Sequence, residues 1–472
     1  MYIQQLYTGC ISEAAYYIES NGEAAVIDPL RDVEQYLQLA KERNATIKYI
    51  FETHFHADFV SGHLDLAAQT GATIVYGPDT KTKYTVLVAK DEEIFSLGDI
   101  KIKLLHTPGH TLESSCYLLF DEQEKEYAVF TGDTLFVGDV GRPDLAQMGD
   151  NLTTNELAGM LYESIQHKLL PLADEVLLYP AHGAGSSCGK NLGPESYSTI
   201  GKEKESNYAL LQPTKADFIT AITEGLPEPP AYFPINAQIN RDGYERLDTL
   251  IAKGETKLSI AEFKNKLEAN PNIQILDTRP STTFINGFIP ESIFIGLEGR
   301  FAEWAANILS FEHPILLVTD EGKERESIIR LARVGFDKVE GYLVGGYDNW
   351  RNAGEDFDLI IDVDVDELAM DIPFDENLLV LDVRKEAEYG NGHLKDAINI
   401  PLETLTDPGS MSDLDEHFNI YVHCAGGYRS VIASSILKKQ GVHNIRNVIG
   451  GWDAILLEKD KFIIEKTEAV LN

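Results

Sequence analysis

A repeat in the second half of the chain constrains the fold more than any other feature. Residues 276–279 (LDTR) recur 105 positions later as 381–384 (LDVR), and the glycine pair at 345–346 recurs at the same offset as 450–451. Within each copy, short β-branched runs alternate with stretches of helical periodicity, and such βα alternation is typical of a parallel sheet. The sequence therefore predicts two similar α/β domains in tandem.

The length of the chain leaves room for one further domain. At roughly 150 residues per domain, 472 residues predict about three domains. The first part of the chain also alternates strand-like and amphipathic segments, and a proline-rich run at 226–234 can be neither helix interior nor central strand. We place the domains at 1–245, 255–358 and 359–472, and we expect an α/β fold throughout.

The charge and the cysteine content exclude several classes of protein. Acidic residues outnumber basic ones by 76 to 40, and the formal charge of −36 repels nucleic acid and anionic lipid. Four scattered cysteines form neither a disulfide framework nor a CxxC zinc motif, which fits a reducing compartment. No stretch has the roughly 18 apolar residues of a membrane helix, and the N-terminus lacks a signal-peptide pattern. We therefore expect a cytoplasmic protein without a nucleic-acid or membrane partner.

Six potential metal ligands follow predicted strands in the first domain. They are His54, His56 and Asp58 in one loop, His110 in TPGH, Asp133 in TGD and His182 in PAHG. A lone histidine is usually a packed structural residue, and His63, His106 and His167 keep that interpretation. Clustered imidazoles and carboxylates instead supply the lone pairs that a divalent ion of borderline softness needs. The sequence therefore predicts a metal site.

These motifs, in this order, resemble the metallo-β-lactamase superfamily, which implies an αββα sandwich. Members with two metals carry a histidine directly after the motif aspartate, and this chain has Phe59 at that position. Because phenylalanine cannot bind a metal, a binuclear hydrolase is disfavoured. Two histidines and one carboxylate with open positions form the arrangement that non-haem iron(II) oxygenases use, although the same ligand types also bind zinc.

The segment 139–144 (DVGRPD) resembles the persulfide dioxygenase branch of this superfamily. That resemblance implies a mononuclear Fe(II) site with three ligands and three groups that orient the ligands or the substrate. The ligands would be His54, His110 and Asp133, and the orienting groups His56, Asp58 and His182.

Two further residues of this domain each keep two interpretations. Arg142 either braces its loop or attracts an anionic substrate, because an Arg-Pro pair in a loop is compatible with both roles. Cys188 either lines the substrate channel or is a buried, inert thiol.

The last repeat contains a loop suited to an anionic sulfur. A predicted strand leads into CAGGYR (424–429) and then into a helix, whose backbone N–H groups and positive end would stabilise a thiolate or persulfide at Cys424. The loop resembles that of the rhodanese family of sulfurtransferases, and its Cys-x4-Arg spacing separates it from the related phosphatases, whose loop is one residue longer. The resemblance implies that Cys424 is the nucleophile, that Arg429 is a fixed cation beside it, and that Gly426 and Gly427 bind the substrate.

The first repeat keeps the scaffold motifs of the second but lacks its nucleophile. Asp320 stands at the position aligned with Cys424. Because a carboxylate cannot carry sulfane sulfur, we expect this copy to be catalytically silent, as a spacer, a docking surface or a remnant.

The order of the three domains resembles that of persulfide dioxygenase–rhodanese fusions of sulfide detoxification. The resemblance implies a homo-oligomer that oxidises a low-molecular-weight thiol persulfide with O2 to sulfite and joins sulfite to persulfide sulfur as thiosulfate. A thiolester hydrolase of the glyoxalase II type and a non-catalytic persulfide sensor or carrier are the alternatives. Glutathione, coenzyme A and bacillithiol all remain open as the thiol.

Overall fold

The computed structural model describes residues 1–145, 152–411, 414 and 417–467. The chain divides into two compact units, one of residues 1–250 with 329–337, the other of residues 251–328 with those from 338 onward. Each unit has its own hydrophobic core. The end of the third predicted domain, 468–472, lies outside the described residues.

Two six-stranded sheets form the centre of the first unit. The first sheet has its strands in chain order: β1 (Tyr2–Thr8), β2 (Glu13–Ser20), β3 (Glu23–Ile27), β4 (Thr46–Phe51), β5 (Thr73–Tyr76) and β6 (Leu87–Val88). The second has the order β12-β11-β10-β9-β8-β7, from β7 (Ile94–Leu97), β8 (Ile100–His106), β9 (Ser115–Phe120), β10 (Glu126–Gly132), β11 (Leu177–Pro180) and β12 (Ser198–Thr199). Strands β3 to β6 run parallel, as do β10 and β11.

The hairpin between β2 and β3 illustrates how local sequence sets this framework. Asn21 and Gly22 both have positive φ angles, 49° and 79°. A two-residue hairpin turn needs such angles at both positions, and Asn-Gly adopts them most readily. The turn pairs Ser20 with Glu23 and thereby sets the register of the two buried strands.

The two sheets pack face to face and helices cover their outer faces. Side chains such as Phe51 and Phe130 fill the space between the sheets. The helices of this unit are α1 (Glu34–Glu42), α2 (His63–Thr70), α3 (Thr154–Ser164), a π-helix (Ile165–Leu169), α4 (Ile200–Ser206), α5 (Lys215–Thr223), α6 (Phe233–Asp242) and α7 (Leu247–Gly254). Tyr36 of α1 and Leu66 of α2 pack on one sheet, and Leu161 of α3 packs on the other. The layers are therefore α, β, β, α, as predicted.

The second unit contains two five-stranded sheets of the same topology. The first, β13-β17-β16-β14-β15, consists of β13 (Lys257–Leu258), β14 (Gln274–Asp277), β15 (Ile293–Phe294), β16 (Ile315–Val318) and β17 (Val339–Leu343). The second, β18-β23-β22-β19-β21, consists of β18 (Ile361–Val363), β19 (Leu378–Asp382), β21 (Ile398–Asn399), β22 (Asn419–His423) and β23 (Ile445–Val448). Strands β20 (His393–Leu394) and β24 (Ile464–Glu465) pair separately. All pairings within the two larger sheets are parallel, which confirms the predicted fold class.

Helices flank these sheets in each copy. The first copy has α8 (Ile260–Ala269), α9 (Ser281–Phe284), α10 (Phe301–Ile308), α11 (Glu324–Arg333) and α12 (Gly346–Asn352). The second has α13 (Val365–Asp371), α14 (Glu386–Gly390), α15 (Tyr428–Lys439) and α16 (Gly451–Leu457), with 3-10 turns at Leu402–Thr404, Pro408–Met411 and Lys459–Lys461. Among the described residues, no helix has both the length and the apolar character that crossing a bilayer requires.

Candidate functional site

Three of the predicted ligands converge on one point in the first unit. His54 follows β4, His110 follows β8 and Asp133 follows β10 directly. The Nε2 atoms of His54 and His110 lie 3.7 and 3.4 Å from Oδ2 of Asp133, and all three side chains are buried. That Oδ2 atom has no hydrogen-bond partner among the described residues. A buried carboxylate oxygen facing two imidazole nitrogens fits a cation, because such an oxygen is otherwise costly to bury.

The neighbours of the two histidines direct their lone pairs toward this point. Nδ1 of His110 lies 2.8 Å from the carbonyl of Arg142, which can only accept a hydrogen bond. Nδ1 of His54 lies 2.9 Å from Oγ1 of Thr53, and that hydroxyl already donates to Asp28. Both Nδ1 atoms therefore carry the proton, and both Nε2 atoms keep a lone pair for a metal.

His182 lies between two carboxylates at the rear of this cluster. Its Nδ1 and Nε2 atoms are each 2.8 Å from a carboxylate oxygen, of Asp133 and Asp58 respectively. Burial tends to lower the pKa of His182, but the two carboxylates raise that pKa well above its ordinary value. Burial likewise tends to raise the pKa of Asp133, but His182, His54 and His110 hold it well below its usual range. Asp58, His182 and Asp133 thus form one hydrogen-bonded chain, and the orienting role of Asp58 and His182 stays a prediction.

His56 does not point at the three-residue cluster. Its Nε2 lies 3.0 Å from Oδ1 of Asp28 and 3.7 Å from Oε2 of Glu52, and its ring packs on that of Phe59 at a centroid distance of 4.4 Å. Phe59 is fully buried. The aromatic side chain thus fills space beside the motif loop where a histidine could have offered a further ligand.

Asn240 of α6 holds this loop in place, and the sequence motifs do not reveal it. Its buried side chain donates to the carbonyls of His56 and Phe59, both at 2.7 Å, and accepts from the N–H of Ser61 at 2.9 Å. The helix that carries Asn240 begins at Phe233, within the proline-rich run, and has a proline in its first turn. A proline there costs no hydrogen bond, so the run starts a helix of the metal domain.

Arg142 is buried and its guanidinium is fully engaged. It donates to both oxygens of Asp144 at 2.7 and 2.8 Å and to the carbonyls of Ser187 and Pro227. These bonds join three loop segments, which favours bracing over the predicted binding of an anionic substrate. Substrate binding by Arg142 stays a prediction.

Cys188 lies at the edge of the metal cluster. Its sulfur and ligand atoms of Asp58 and His182 all lie within 4.8 Å of one another. Burial, followed by the charges of Asp58 and Asp133, raises the pKa of the Cys188 thiol well above its ordinary value. Cys188 is therefore a neutral thiol beside the site.

A cavity of about 340 Å³ opens next to His110, one of the predicted ligands. Phe55, Phe233 and Pro234 contribute apolar surface, and Arg241 contributes a cation. Such a mixture of apolar walls with a few polar groups is typical of small-molecule sites.

The cysteine loop of the last repeat surrounds a buried sulfur. Sγ of Cys424 accepts the N–H of Gly427 at 3.1 Å and lies 3.6 Å from Oγ of Ser430. The first turn of α16 fixes the backbone of the loop, because the Trp452 N–H donates to the Cys424 carbonyl at 2.7 Å. Gly451 makes this approach possible: its φ is +55°, and a Cβ there would lie 2.4 Å from the same carbonyl oxygen.

Arg429 is the last residue of this loop, and its side chain is paired with a carboxylate. Its two terminal nitrogens donate to the two oxygens of Glu388 on α14, at 2.7 and 2.8 Å. This bidentate bond raises the pKa of Arg429. The predicted fixed cation thus carries a counter-ion that the sequence did not reveal.

The first repeat preserves the scaffold of the second without its sulfur. Arg279 pairs with Asp277 and reaches the Gly287 carbonyl, as Arg384 pairs with Asp382 and reaches the Gly392 carbonyl. The predicted alignment of Asp320 with Cys424 is wrong by one residue. Val318 lies opposite Asp277 as His423 lies opposite Asp382, so Thr319 occupies the position of Cys424. The Thr319 carbonyl likewise approaches Gly346 as the Cys424 carbonyl approaches Gly451, and a threonine hydroxyl cannot carry sulfane sulfur either.

Comparisons with known proteins match three segments of the chain to two domain families. Residues 8–182 match the metallo-beta-lactamase superfamily, and residues 259–353 and 364–458 each match the rhodanese-like domain. Hydroxyacylglutathione hydrolase GloC of Haemophilus influenzae is 32% identical over 206 residues, which cover 39% of this chain and 85% of that protein.

Two solved structures extend the comparison. A metallo-beta-lactamase from Staphylococcus aureus is 32% identical and covers 72% of this chain and 99% of its own, with a TM-score of 0.65. ETHE1 from Myxococcus xanthus is 31% identical and covers 51% of this chain and all of its own, with a TM-score of 0.43. The chain belongs to the metallo-beta-lactamase superfamily, and two rhodanese-like domains follow its metallo-beta-lactamase domain.

Proposed function

We propose that the chain is a bifunctional persulfide dioxygenase and sulfurtransferase. Its first domain would oxidise a low-molecular-weight thiol persulfide with O2 to sulfite, and its last domain would convert sulfite and persulfide sulfur to thiosulfate. The observation that carries the proposal is that one chain contains both a two-histidine, one-carboxylate cluster and the cysteine loop at 424–429, and that it has Phe59 in the motif loop.

His54, His110 and Asp133 would hold one Fe(II). The bound ion would supply the redox chemistry that joins O2 to the persulfide sulfur. The protein would fix the imidazole tautomers through Thr53 and the Arg142 carbonyl, and would orient Asp133 through His182. The cavity beside His110 would receive the thiol carrier, with Arg241 facing an anionic group of that carrier.

In the last domain, Cys424 would take sulfane sulfur from a second persulfide. Its thiolate attacks the outer sulfur, the S–S bond of the donor breaks, and the carrier leaves as a thiolate with the electron pair and is protonated by solvent. A sulfite lone pair then attacks the outer sulfur of the Cys424 persulfide, the new S–S bond gives thiosulfate, and Cys424 leaves as a thiolate. The Gly427 N–H faces the sulfur on which negative charge resides in both steps.

The test follows one substrate, O2, and two products, sulfite and thiosulfate. Anaerobically purified protein is mixed with glutathione persulfide and O2, and O2, sulfite and thiosulfate are measured over time. We expect O2 uptake with thiosulfate as the product, and in Cys424→Ser the same O2 uptake with sulfite instead. Thiosulfate release by Cys424→Ser at the parental rate would contradict the assignment of sulfur transfer to the last domain.

A thiolester hydrolase is the second candidate, because the related GloC bears the name hydroxyacylglutathione hydrolase. Phe59 argues against a hydrolase, because this residue stands where binuclear members carry a metal ligand. Assaying S-lactoylglutathione alongside glutathione persulfide separates the two candidates. Ester cleavage without O2 uptake would favour the hydrolase.

A further inference from the structure

The pairing of Arg429 with Glu388 is the starting point of a further inference. The two side chains form a bidentate ion pair beside the Cys424 loop, with 18% of the arginine and 36% of the glutamate side chain exposed. The Glu388 oxygen Oε2 also accepts the N–H of Lys385, which fixes the carboxylate at the start of α14. The carboxylate therefore has a defined position, although one side of the pair is open to water.

Glu388 competes for the cation that an anionic acceptor would use. Both terminal nitrogens of Arg429 already have a carboxylate oxygen as partner. The nearby Arg384 offers no substitute, because it is bound to Asp382 and to the Gly392 carbonyl. An oxyanion that binds Arg429 must therefore displace Glu388 or share the guanidinium with it. In the second case, the negative charges of the oxyanion and of Glu388 repel each other.

The silent repeat provides a contrast within the same chain. At the offset of 105 residues, Thr283 stands where the active copy has Glu388. The scaffold pair of Asp277 with Arg279 is nevertheless kept in the silent copy. The carboxylate is thus present in the copy that has the sulfur loop, and the scaffold of the silent copy forms without it.

We propose that Glu388 is a specificity-determining residue that weakens the binding of oxyanions at Arg429, so that the dianionic product leaves the sulfur loop. The inference rests on the proposed sulfur transfer, in which sulfite enters and thiosulfate departs. Thiosulfate is a dianion and sulfite carries one or two negative charges near neutral pH, and an unpaired, partly buried arginine would bind either anion bidentately and hold the product. Glu388 restores its bond to Arg429 as the product dissociates.

The experiment measures oxyanion binding and turnover in the full-length protein. Thiosulfate binding is measured by calorimetry, and KM for sulfite is measured with glutathione persulfide as donor, in parent, Glu388→Gln and Glu386→Gln. Glu386 is an exposed carboxylate of the same short helix, so its variant removes the same charge without touching Arg429. Glu388→Thr, which introduces the residue type of the silent copy, serves as a second variant if Glu388→Gln does not fold.

We expect Glu388→Gln to lower both the Kd for thiosulfate and the KM for sulfite by about fivefold, the upper range for a partly exposed ion pair. Glu386→Gln should leave both constants within a factor of two of the parent. Unchanged or weaker thiosulfate binding in Glu388→Gln would overturn the inference. Absence of thiosulfate formation by the parent would instead overturn the proposed sulfur transfer, and the calorimetric comparison would still decide the role of Glu388.

Discussion

At the scale of single residues, the geometry of the candidate metal site depends on hydrogen bonds behind its predicted ligands. Thr53 is the clearest case, because its hydroxyl donates to Asp28 and accepts from His54. Without that acceptor, the His54 ring would be free to adopt the other tautomer or to rotate. The ligand atoms alone therefore do not define the site.

Thr53→Val should lower the affinity for Fe(II) by about 10- to 100-fold, the usual effect of removing a group that orients a ligand. Competition with a chelator under anaerobic conditions measures this. Thr70→Val is the control, since the Thr70 hydroxyl donates to the Leu66 carbonyl and accepts from the Ala72 N–H, and neither partner belongs to the cluster. Equal affinities in the two variants would show that Thr53 does not orient His54.

The sequence allowed the candidate ligands to be named but not their supports. His54, His110 and Asp133 stand in short motifs directly after strands, so their types and spacing indicated a metal site. Asn240 and Glu388 reach their sites only through tertiary contacts across 181 and 41 residues. No local pattern marks such residues, because their neighbours in sequence are ordinary helix.

At the scale of elements, short β-branched runs of the sequence form strands. The runs 73–76 (TIVY) and 315–318 (ILLV) form β5 and β16. The proline-rich run was harder to interpret, because proline excludes helix interior but is compatible with the first turn of a helix. Helix α6 starts in that run and supports the metal loop, so a break in composition there is not a break in the fold.

Asn240→Leu should destabilise the first unit by about 2–3 kcal/mol, because two carbonyls and one N–H of the motif loop lose a buried partner. Urea unfolding monitored by fluorescence measures the loss. Asn236→Leu, one turn earlier, is the matched control. Asn236 is also buried, and its side-chain amide has no partner among the described residues. A larger loss in Asn236→Leu would contradict this account of α6.

Gly451→Ala should abolish sulfur transfer and destabilise the last domain by about 3 kcal/mol, since the added carbon would lie 2.4 Å from the Cys424 carbonyl at a φ of +55°. Gly426→Ala is the comparison within the loop, because the nearest atom to its added carbon is Asp453 Oδ2 at 3.7 Å. We expect it to fold normally in a thermal melt. Full sulfurtransferase activity in Gly451→Ala would show that the loop does not depend on its contact with the first turn of α16.

At the scale of the whole molecule, covalent linkage of the two proposed activities raises the effective concentration of sulfite at the sulfur loop. An equimolar mixture of Asp133→Asn and Cys424→Ser chains contains both activities without linking them. We expect this mixture to release free sulfite before thiosulfate at nanomolar protein, whereas the parent should release thiosulfate directly. Identical time courses would show that linkage has no kinetic effect.

The central claim is that a single oxygen-activating ion occupies the first domain. The most direct test is the metal content of anaerobically purified protein, combined with O2 uptake on addition of persulfide. We expect one iron per chain and O2 uptake, both lost in Asp133→Asn and kept in His167→Asn, whose histidine is exposed and lies next to Glu163 on the surface. Two metal ions per chain, or one ion without O2 uptake, would contradict the claim.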